Sequence, residues 1–475
     1  MLKRVLVANR GEIAVRIIRE CHDAGIGTVA VYSEADINAL HVMLADRAVC
    51  IGAAPSSESY LNMNNIIEAA RGTGCDAVHP GFGFLSENPE FARMCRENGL
   101  IFIGPSPEAI EMLGDKSEAR RTMANAGVPV VPGSDGPLSS YEQAEELAER
   151  IGFPVLIKAA SGGGGRGMRT ATCMDDVKRA FLEASGEAGK CFADSRVYME
   201  KLIRNPRHVE FQILADKFGH IIHLGERNCS IQRRNQKMIE ETPDWSLTED
   251  MRTGMGEDAV AAAKTAGYEN AGTVEFIVKG NEYWFIEMNT RLQVEHTITE
   301  ETTGVNIVRE QLRIASGLPL GHRQEDIRPR GHAIECRINA EDIWNDFAPS
   351  PGHVDFLHLP DGTNVRVKNT LYTGSDISPF YDSMAAKIIV YGNTRLEAIR
   401  RMRRSLGETI IKGVKTTLPI VHLIMYDQEF LRGRYDTGYM ENRLGELKAI
   451  YEAALTRSEE RRVGKECRSR WSPYH

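Results

Sequence analysis

The N-terminal part of the chain alternates short β-rich runs with helical patterns, and this alternation constrains the fold more than any other feature. A run of apolar β-formers, RVLVA, precedes an amphipathic segment, and the same pattern then repeats. Such alternation predicts a parallel sheet with helices on both faces. We expect strands at Arg4–Ala8, Thr28–Tyr32, Ala77–His79 and Leu100–Ile103, with helices at Glu12–Ala24 and Glu90–Glu97.

The turn after the first predicted strand does not have the pattern of a dinucleotide site. It reads NRGEIA, with one glycine where the GxGxxG fingerprint needs three. An α/β scaffold is therefore the favoured interpretation of this region.

A chain of 475 residues exceeds one ordinary core, so we expect two or three domains. An N-terminal α/β domain is placed at 1–113. A second segment at 114–203 begins with a predicted helix, Lys116–Ala126, and contains the strand PVLIKA. A third segment, 204–446, is rich in short strands and holds most of the unusual polar residues.

Charge and cysteine usage exclude several classes of protein. The formal net charge is −8, with no long basic stripe before the final residues, which argues against nucleic acid as a partner. No apolar run has the length of a membrane span, and the first residues do not form a signal peptide. The nine cysteines are scattered without a CxxC pair, as expected for reduced thiols in a cytoplasmic protein.

The glycine-rich loop SGGGGRGMR, Ser161–Arg169, is the first motif with chemical meaning. Successive glycines allow backbone N–H groups to approach an anion closely, because no Cβ intervenes and positive φ is accessible. Lys158 before the loop and Arg166 within it add positive charge for phosphates. The loop lacks the Gly-Lys-Ser/Thr of a Walker A motif. The alternative is a flexible linker, although a linker rarely follows a lysine-bearing buried strand.

A predicted hairpin, GTVEFIVKGNEYWFIEMNTR, carries two glutamates inside apolar strands. A two-residue turn at Gly280–Asn281 places Glu275 and Glu287 on opposite faces of the sheet. A three-residue loop at Gly280–Glu282 pairs Lys279 with Tyr283 and places the two carboxylates directly opposite each other.

We predict the three-residue loop. It also gathers Phe276, Val278, Trp284 and Ile286 on the other face of the hairpin. Opposed carboxylates need a cation between them, and their oxygens suit Mg²⁺, with Asn289 as a further ligand. The alternative is two solvated surface glutamates.

Three more groups of charged residues follow. The string NTRLQVEH offers Arg291 as a planar fork for an oxyanion and Glu295 as a proton acceptor. The stretch ERNCSIQRRNQK concentrates basic residues up to Lys237, with a solvated basic loop as the alternative. Arg337 in HAIECRINAED places a charge in an apolar strand pattern, with a structural salt bridge as the alternative.

The last segment, 457–475, differs from everything before it. Its sequence, RSEERRVGKECRSRWSPYH, has no helical or strand periodicity. It resembles the in-frame translation of a sequencing adapter, so we interpret it as a non-native tail and exclude it from reasoning about the fold.

Taken together, these motifs identify a family. The chain resembles the biotin carboxylases of the ATP-grasp superfamily from the first residue to about Leu444. The resemblance rests on eight motifs in order: VANRGEIAVRIIR, HPGFGFLSEN, GDKSEAR, KAASGGGGRGMR, NPRHVEFQ, EMNTRLQVEH, ECRINAED and SPFYDSMAAKIIVYG. It implies a multidomain α/β and α+β protein with an ATP-grasp fold. This fold has a Rossmann-like N-terminal α/β domain, a mobile lid and a C-terminal α+β domain.

The resemblance also implies roles for individual residues. The nucleotide and its phosphates would contact Lys116, Lys158, His208, the lid residues Gly164 and Gly165, and the hinge strand Glu200, Lys201, Leu202 and Ile203. Mg²⁺ or Mn²⁺ would bind Glu275, Glu287 and Asn289. Bicarbonate would bind Lys237, Arg291 and the Val294 backbone. Glu295 would act as the general base, and Arg337 would face the ureido oxygen of biotin. Asn235 departs from the histidine of many family members, which puts the nucleotide role of that position in doubt.

The implied reaction is the ATP- and bicarbonate-dependent carboxylation of biotin on a separate biotin carboxyl carrier protein, through carboxyphosphate. Carboxyltransferase subunits and a homodimer are the implied partners. The final acceptor stays open between acetyl-CoA carboxylase in fatty acid synthesis, a two-subunit pyruvate carboxylase and another acyl-CoA carboxylase. A carbamoyl-phosphate-type ligase would have no use for Arg337, and a non-catalytic ATP-binding regulator would have none for Glu295.

Overall fold

The computed structural model describes residues 2–160, 167–192 and 194–469, with side chains described up to 455 except at 192. Gly164 and Gly165, predicted to lie over the phosphates, are outside the described residues. Among the described helices, none combines the length and apolar character needed to cross a membrane.

The N-terminal region is a five-stranded parallel sheet in the order β3-β2-β1-β4-β5, as the alternating pattern predicts. Its strands are β1 (Arg4–Val7), β2 (Gly27–Tyr32), β3 (Arg47–Cys50), β4 (Ala77–His79) and β5 (Ile101–Phe102). Its helices are α1 (Gly11–Asp23), α2 (Leu40–Leu44), α3 (Met63–Gly72), α4 (Pro89–Glu97) and α5 (Pro107–Gly114). The predicted strands and helices of this region are confirmed to within a residue or two at each end.

The second segment forms a small antiparallel sheet in the order β7-β6-β8, flanked by helices. Its elements are α6 (Lys116–Asn125), α7 (Tyr141–Ile151), β6 (Val155–Ala159), β7 (Met168–Ala171), α8 (Met174–Phe192) and β8 (Val197–Lys201). Asp115 caps α6, because its side chain accepts hydrogen bonds from the N–H groups of Ser117 and Glu118. This cap fixes Lys116 at the first position of the helix.

The third segment is built on an eight-stranded sheet in the order β13-β12-β9-β10-β11-β14-β21-β19. Its neighbouring strands are all antiparallel, as is usual where one face of a sheet can hold polar groups. The strands of this sheet are β9 (Arg207–Ala215), β10 (Ile221–Arg233), β11 (Gln236–Thr242), β12 (Asn270–Lys279), β13 (Glu282–Asn289), β14 (His332–Asn339), β19 (Val365–Asn369) and β21 (Met384–Gly392). Short two-stranded ladders are formed by β15 (Glu341–Asp342) with β16 (Ala348–Pro349), β17 (Gly352–His353) with β20 (Asp376–Ile377), and β18 (Phe356–His358) with β22 (Ile410–Lys412).

The helices of this segment cover the large sheet. They are α9 (Glu249–Thr265), α10 (His296–Thr303), α11 (Ile307–Ala315), α12 (Arg395–Glu408), α13 (Leu418–Ile424), α14 (Gln428–Leu431) and α15 (Tyr439–Ser469). Helix α15 corrects one expectation, since we predicted no regular structure for 457–475 and the helix continues to Ser469. Good helix formers such as Glu, Arg and Lys fill this stretch, and Pro473 lies beyond it. The last buried side chain described on α15 is Leu447.

One hydrophobic cluster joins the N-terminal region to the large sheet. Val5 and Val7 of β1 and Ile17 of α1 pack in the same buried cluster as Leu214 of β9 and Leu312 of α11. The parallel sheet and the antiparallel sheet therefore share a core at their junction. Ile13 of this cluster also lines a cavity of about 1070 Å³ beside the junction.

Candidate active site

The candidate site is a cavity of about 1070 Å³ lined by residues of the N-terminal region, the small sheet and the large sheet. Fifteen of the predicted site residues line it: Lys116, Lys158, Glu200, Lys201, Leu202, Ile203, His208, Asn235, Lys237, Glu275, Glu287, Asn289, Arg291, Val294 and Arg337. Glu295 is fully buried directly behind this lining, in contact with Lys237 and Arg337. Residues far apart in the sequence thus converge on one space.

The hairpin of β12 and β13 places Glu275 directly opposite Glu287, as predicted, but by a different route. Lys279 pairs with Glu282, so the turn is the two-residue Gly280–Asn281, and the predicted three-residue loop is wrong. Gly280 has φ +60°, a left-handed value that glycine adopts without strain. A register shift between Glu275 and Phe276 adds one residue to β13, and this bulge restores the opposition of the two carboxylates.

The two-residue turn also changes which side chains share the apolar face of the hairpin. Phe276 makes edge-to-face contacts with Tyr283 and Phe285, at ring-centroid distances of 5.8 Å and 6.4 Å. The predicted stacking of Trp284 and Ile286 on this face is wrong. Ile286 lines the cavity instead, because the two-residue turn pairs Phe276 with Phe285 and so moves Trp284 and Ile286 to the opposite face.

A row of charged residues crosses four neighbouring strands at the cavity. Arg227 on β10 is opposite Glu210 on β9, Glu210 is opposite Glu275 on β12, and Glu275 is opposite Glu287 on β13. Like charges at directly opposite positions are destabilising unless cations intervene. Three adjacent carboxylates therefore require a set of basic partners, and the structure supplies them from the neighbouring elements.

Lys237 on β11 is the centre of these partners. Its Nζ donates to Glu210 Oε2 at 2.6 Å, Glu295 Oε1 at 2.7 Å and Glu275 Oε1 at 2.9 Å. Burial opposes the charge of the ammonium, yet the three carboxylates raise the pKa of Lys237 well above its ordinary value. Arg227 supports the same group from behind, with Nε 2.6 Å from Glu210 Oε1.

The remaining partners hold the outer carboxylates. His208 Nε2 lies 2.8 Å from Glu275 Oε2, and Lys116 Nζ lies 2.7 Å from Glu287 Oε2. Although burial would raise it, the pKa of Glu275 is well below its ordinary value because Lys237 and His208 are so close. Lys116 likewise lowers the pKa of Glu287. Both carboxylates are therefore anionic at neutral pH.

The residues present fit a divalent cation. The Asn289 side chain donates from Nδ2 to Glu275 Oε1 at 2.9 Å, and Glu287 lies opposite Glu275 on the neighbouring strand. Their carboxylate and amide oxygens are the ligand type that Mg²⁺ and Mn²⁺ prefer. Ligand atoms of His208, Glu210 and Glu275 lie within 4.8 Å of one another, and so do those of Glu210, Cys229 and Glu295, so Glu210 belongs to both groups.

Glu295 immediately precedes α10 and is 0% exposed. Its Oε1 accepts from Lys237 Nζ, and its Oε2 accepts from Arg337 Nη2 at 2.9 Å. Burial would raise the pKa of Glu295, but Lys237 and Arg337 hold it well below the ordinary value. The side chain is thus an ionised acceptor in a closely packed site, and the start of α10 adds a favourable dipole.

Arg291 and Val294 approach the cavity from the segment between β13 and α10. Arg291 Nε lies 2.8 Å from Glu87 Oε2, and its Nη2 donates to Asn289 Oδ1 at 3.2 Å. The carbonyl of Val294 accepts a hydrogen bond from the buried Lys387 on β21. Both contacts fix the segment whose backbone was predicted to meet bicarbonate.

The nucleotide end of the cavity lies at the small sheet. Lys158 on β6 forms an ion pair with Glu200 on β8. The N–H of Lys201 donates to Pro132 O at 2.8 Å, and that of Leu202 donates to Pro154 O at 3.0 Å. Strand β8 ends at Lys201, so Leu202 and Ile203 lie just beyond it. Since these two N–H donors are used within the protein, contacts of this segment with adenine would come from carbonyl groups or Ile203.

Asn235 occupies the turn between β10 and β11. Arg234 has φ +48° and Asn235 has φ +64°, and asparagine tolerates this left-handed region better than most residues. Arg234 lies at the surface and forms an ion pair with Asp346 at 2.9 Å. Arg227 and Lys237, basic residues on either side of this turn, point instead into the buried network.

Sequence reasoning missed several buried polar residues around the site. The pattern HVEFQILA contains the signal for Glu210, since Glu210 and Gln212 alternate with apolar residues on β9. Glu335 lies two residues before Arg337 on the same face of β14. The other missed residues that contact this network are the buried Glu12, Glu240 and Lys387 and the exposed Glu87.

A large antiparallel sheet, a small sheet that carries Lys158, and a cavity between them lined by carboxylates define an ATP-dependent ligase of the ATP-grasp class. Comparisons with known families agree. Residues 1–110 match the model of the biotin carboxylase N-terminal domain, and 335–442 match that of the biotin carboxylase C-terminal domain. Residues 115–323 match the carbamoyl-phosphate synthase L chain ATP binding domain. The chain belongs to the biotin carboxylase family, which confirms the resemblance seen in the sequence.

Individual relatives cover almost the whole chain. A biotin carboxylase of Haemophilus influenzae is 52% identical over 94% of this chain and 99% of its own length. A pyruvate carboxylase subunit of Methanothermobacter thermautotrophicus is 51% identical over 93% of this chain and 90% of its own length. Among solved structures, the biotin carboxylase domain dimer of Hydrogenobacter thermophilus 2-oxoglutarate carboxylase, in complex with MgADP, ADP and bicarbonate, matches with a TM-score of 0.91. It is 49% identical and covers 94% of this chain and 99% of that one.

Proposed function

We propose that this biotin carboxylase uses ATP and bicarbonate to carboxylate biotin on a separate carrier protein, with the residue roles that its motifs imply. The observation that carries the proposal is Glu295, an ionised and fully buried carboxylate held between Lys237 and Arg337. It lies next to the Glu275–Glu287 pair, so a proton acceptor and a candidate phosphate site are adjacent.

The nucleotide is proposed to bind between the small sheet and the large sheet. Lys116, Lys158 and His208 would contact its phosphates, and the strand of Glu200, Lys201, Leu202 and Ile203 would contact adenine. Gly164 and Gly165 remain predicted contacts of the phosphates. Asn235, held at the end of the β10–β11 hairpin, would contact the nucleotide by hydrogen bonding alone. When bound at Glu275, Glu287 and Asn289, Mg²⁺ or Mn²⁺ would neutralise charge on the transferring phosphoryl group.

The bicarbonate step is proposed to depend on Lys237, Arg291 and Val294. The two cations would hold the bicarbonate oxygens, and the Val294 backbone would complete the pocket. Glu295 would take the proton of bicarbonate while its oxygen attacks the γ-phosphate and ADP leaves. Bicarbonate is a weak nucleophile, so removal of its proton in the transition state is the contribution that only a base at this position provides.

The biotin step would follow in the same cavity. Carboxyphosphate breaks down to CO₂ and phosphate, and the phosphate takes the proton from N1′ of biotin. N1′ then attacks CO₂, while Arg337 stabilises the negative charge that develops on the ureido oxygen. A closed cavity would exclude the water that hydrolyses carboxyphosphate.

The acceptor and the assembly belong to the proposal as well. We infer a cytoplasmic homodimer that works with a biotin carboxyl carrier protein and carboxyltransferase subunits, in the first half-reaction of acetyl-CoA carboxylase for fatty acid synthesis. A role as the ATP-using component of a two-subunit pyruvate carboxylase is the second candidate. It is supported by the 51% identity to the pyruvate carboxylase subunit of Methanothermobacter thermautotrophicus.

The test is ATP cleavage with bicarbonate, measured with and without free biotin, on the native chain and Glu295→Gln. The native enzyme should cleave ATP in a bicarbonate-dependent manner and carboxylate biotin. Glu295→Gln should lose at least about 100-fold in both activities, because general bases contribute about 100- to 10,000-fold. Its nucleotide affinity should stay near normal. A loss below about tenfold would exclude Glu295 as the base.

A further inference from the structure

Glu240 on β11 is a buried carboxylate for which the proposed reaction has no use. It lies directly opposite Glu335 on β14, and both side chains are 0% exposed. Neither oxygen of Glu240 has a hydrogen-bond partner among the described residues. Its close contact is with the cation of Arg337, whose Nη2 is 2.6 Å from Glu240 Oε1. A buried carboxylate with so little support is costly in its charged form.

Arg337 is shared between two carboxylates. The same Nη2 atom that contacts Glu240 donates to Glu295 Oε2 at 2.9 Å. If both carboxylates were ionised, one guanidinium would face two negative charges. Its field towards the ureido oxygen of biotin would then be largely cancelled. The charge state of Glu240 therefore decides how much of the Arg337 charge is available in the cavity.

The wider network is short of positive charge. Around Glu240 it contains six carboxylates, four lysine or arginine side chains and one histidine, connected by the contacts described above and by those of Lys387 with Glu12 and Glu335. The outer pairs Lys116–Glu287 and Arg291–Glu87 each add one charge of either sign and leave this balance unchanged. The carboxylates are Glu12, Glu210, Glu240, Glu275, Glu295 and Glu335, and the basic side chains are Arg227, Lys237, Arg337, Lys387 and His208. Even with His208 charged, one carboxylate exceeds the number of cations, so retention of a proton is favoured in this buried space.

Among the three carboxylates of this network whose pKa is raised by burial, namely Glu210, Glu240 and Glu335, Glu240 has the weakest hydrogen-bond support. Glu210 contacts both Arg227 and Lys237 at 2.6 Å, whereas Glu335 accepts a hydrogen bond from Thr297 and lies 3.8 Å from Lys387. Burial, with a contribution from Glu335, raises the pKa of Glu240 to about 8, although Arg337 opposes the shift. The geometry and the charge balance thus point to the same residue.

We propose that Glu240 is a positioning residue for the biotin step. In its protonated form it leaves the charge of Arg337 free for the ureido oxygen, and its ionisation suppresses biotin carboxylation while sparing bicarbonate-dependent ATP cleavage. This inference rests on the proposed roles of Glu295 and Arg337. When Glu295 accepts the proton of bicarbonate, it stops neutralising Arg337. With Glu240 also neutral, the Arg337 guanidinium has no anionic partner in direct contact among the described residues when negative charge develops on the ureido oxygen of biotin.

Apart from Glu335, the titratable groups packed against Glu240 do not change charge in the same pH range. Cys229 on β10 and Cys336 on β14 are buried, and burial raises the pKa of both thiols well above the ordinary value. Lys237 on the same strand stays protonated because its pKa is raised well above the ordinary value. Glu295 stays ionised until it receives a proton from substrate. Glu335 faces Glu240 directly, and burial raises its pKa as well.

The test compares the native enzyme, Glu240→Gln and Glu335→Gln between about pH 6.5 and 9.5. The measured quantity is the ratio of free-biotin carboxylation to bicarbonate-dependent ATP cleavage without biotin. In the native enzyme the ratio should fall about 30-fold from pH 7 to 9.5, the change in the protonated fraction of a group with a pKa of about 8. Glu240→Gln should remove this decline, since an amide cannot ionise.

Glu335→Gln provides the matched comparison at the same pair of positions. Without the opposing charge Glu240 ionises more easily, so the decline should begin at lower pH than in the native enzyme. A flat ratio in the native enzyme, or an unchanged decline in Glu240→Gln, would overturn the proposal. If Glu240→Gln does not fold, the test is the pH at which the activity ratio declines in Glu335→Gln. A decline at higher pH than in the native enzyme would refute the proposal. Absence of any bicarbonate- or biotin-dependent activity in the native enzyme would instead refute the proposed function.

Discussion

Replacement of Lys237 by methionine tests the central ion cluster. Methionine has a similar length and volume but no charge, so the change removes the ammonium with little change in packing. The substitution deletes three charge-assisted hydrogen bonds at 2.6 to 2.9 Å, to Glu210, Glu275 and Glu295. It leaves three carboxylates around an apolar side chain in a space with almost no solvent.

The expected loss follows from the partners that remain. Removing one member of a buried ion pair costs about 3–5 kcal/mol. Each carboxylate keeps one other cation, namely Arg227, His208 or Arg337, which favours the lower end of this range. We therefore expect Lys237→Met to lower the free energy of unfolding by about 3 kcal/mol at pH 8.

The same argument predicts a pH dependence with a definite sign. Without Lys237, a clustered carboxylate has a folded-state pKa above its unfolded value, so the folded variant binds an extra proton. The resulting stability is complete below the unfolded pKa and is lost as pH rises through the folded pKa. The deficit relative to the native chain should therefore grow by up to about 1.4 kcal/mol per pH unit within that window.

Urea unfolding followed by circular dichroism at pH 5.5 and 8 measures this effect. Lys264→Met, at an exposed position on α9, is the matched control and should change stability by less than about 0.5 kcal/mol. A deficit for Lys237→Met below about 1 kcal/mol, or one equal at both pH values, would refute the view that Lys237 offsets the charge of three buried carboxylates.

Three further changes address other parts of the site. Arg337→Ala should reduce biotin carboxylation far more than bicarbonate-dependent ATP cleavage in parallel assays, and equal losses would reject its biotin role. Asn235→His should change ATP affinity by less than about threefold and lower stability by about 1 kcal/mol, because histidine is less suited to φ +64°. Calorimetric titration measures the ATP affinity, and urea unfolding measures the stability. A large loss of bicarbonate-dependent ATP cleavage in this variant would show another role for Asn235. Deleting 457–475 should leave folding and turnover unchanged, and a measurable loss in either assay would show that the tail belongs to the working structure.

The parallel sheet and the family could be predicted from the sequence because both depend on local patterns. Strands such as Ala77–His79 alternate with helices, and their apolar character is readable within a few residues. Motifs such as EMNTRLQVEH identify the family because their residues follow one another in a specific order. The same local reasoning gave all three proposed metal ligands, which lie in one hairpin and the residue that ends it.

The hairpin itself shows where local reasoning fails. The turn length is a local property, but the bulge depends on how β12 pairs with β9 on its other edge. The shorter turn shifts the register by one residue, and the bulge shifts it back at Glu287. The predicted pairing of Glu275 with Glu287 is therefore recovered. Trp284 and Ile286 lie between the turn and Glu287, so their predicted positions are not. Likewise, Glu240 and Glu335 gain significance only when β11 lies beside β14, and nothing in either strand's own sequence specifies that neighbour.

The shared cluster of β1, α1, β9 and α11 has a consequence for how such a chain can be divided or recombined. The family models place a border between residues 110 and 115, yet side chains on both sides of that border fill one buried cluster. A fragment ending there would leave Val5, Ile17 and their neighbours without their covering layer, and a parallel sheet needs both faces covered. An exchange of this region between relatives should therefore succeed only when Leu214, Leu312 and the surfaces around them are transferred with it.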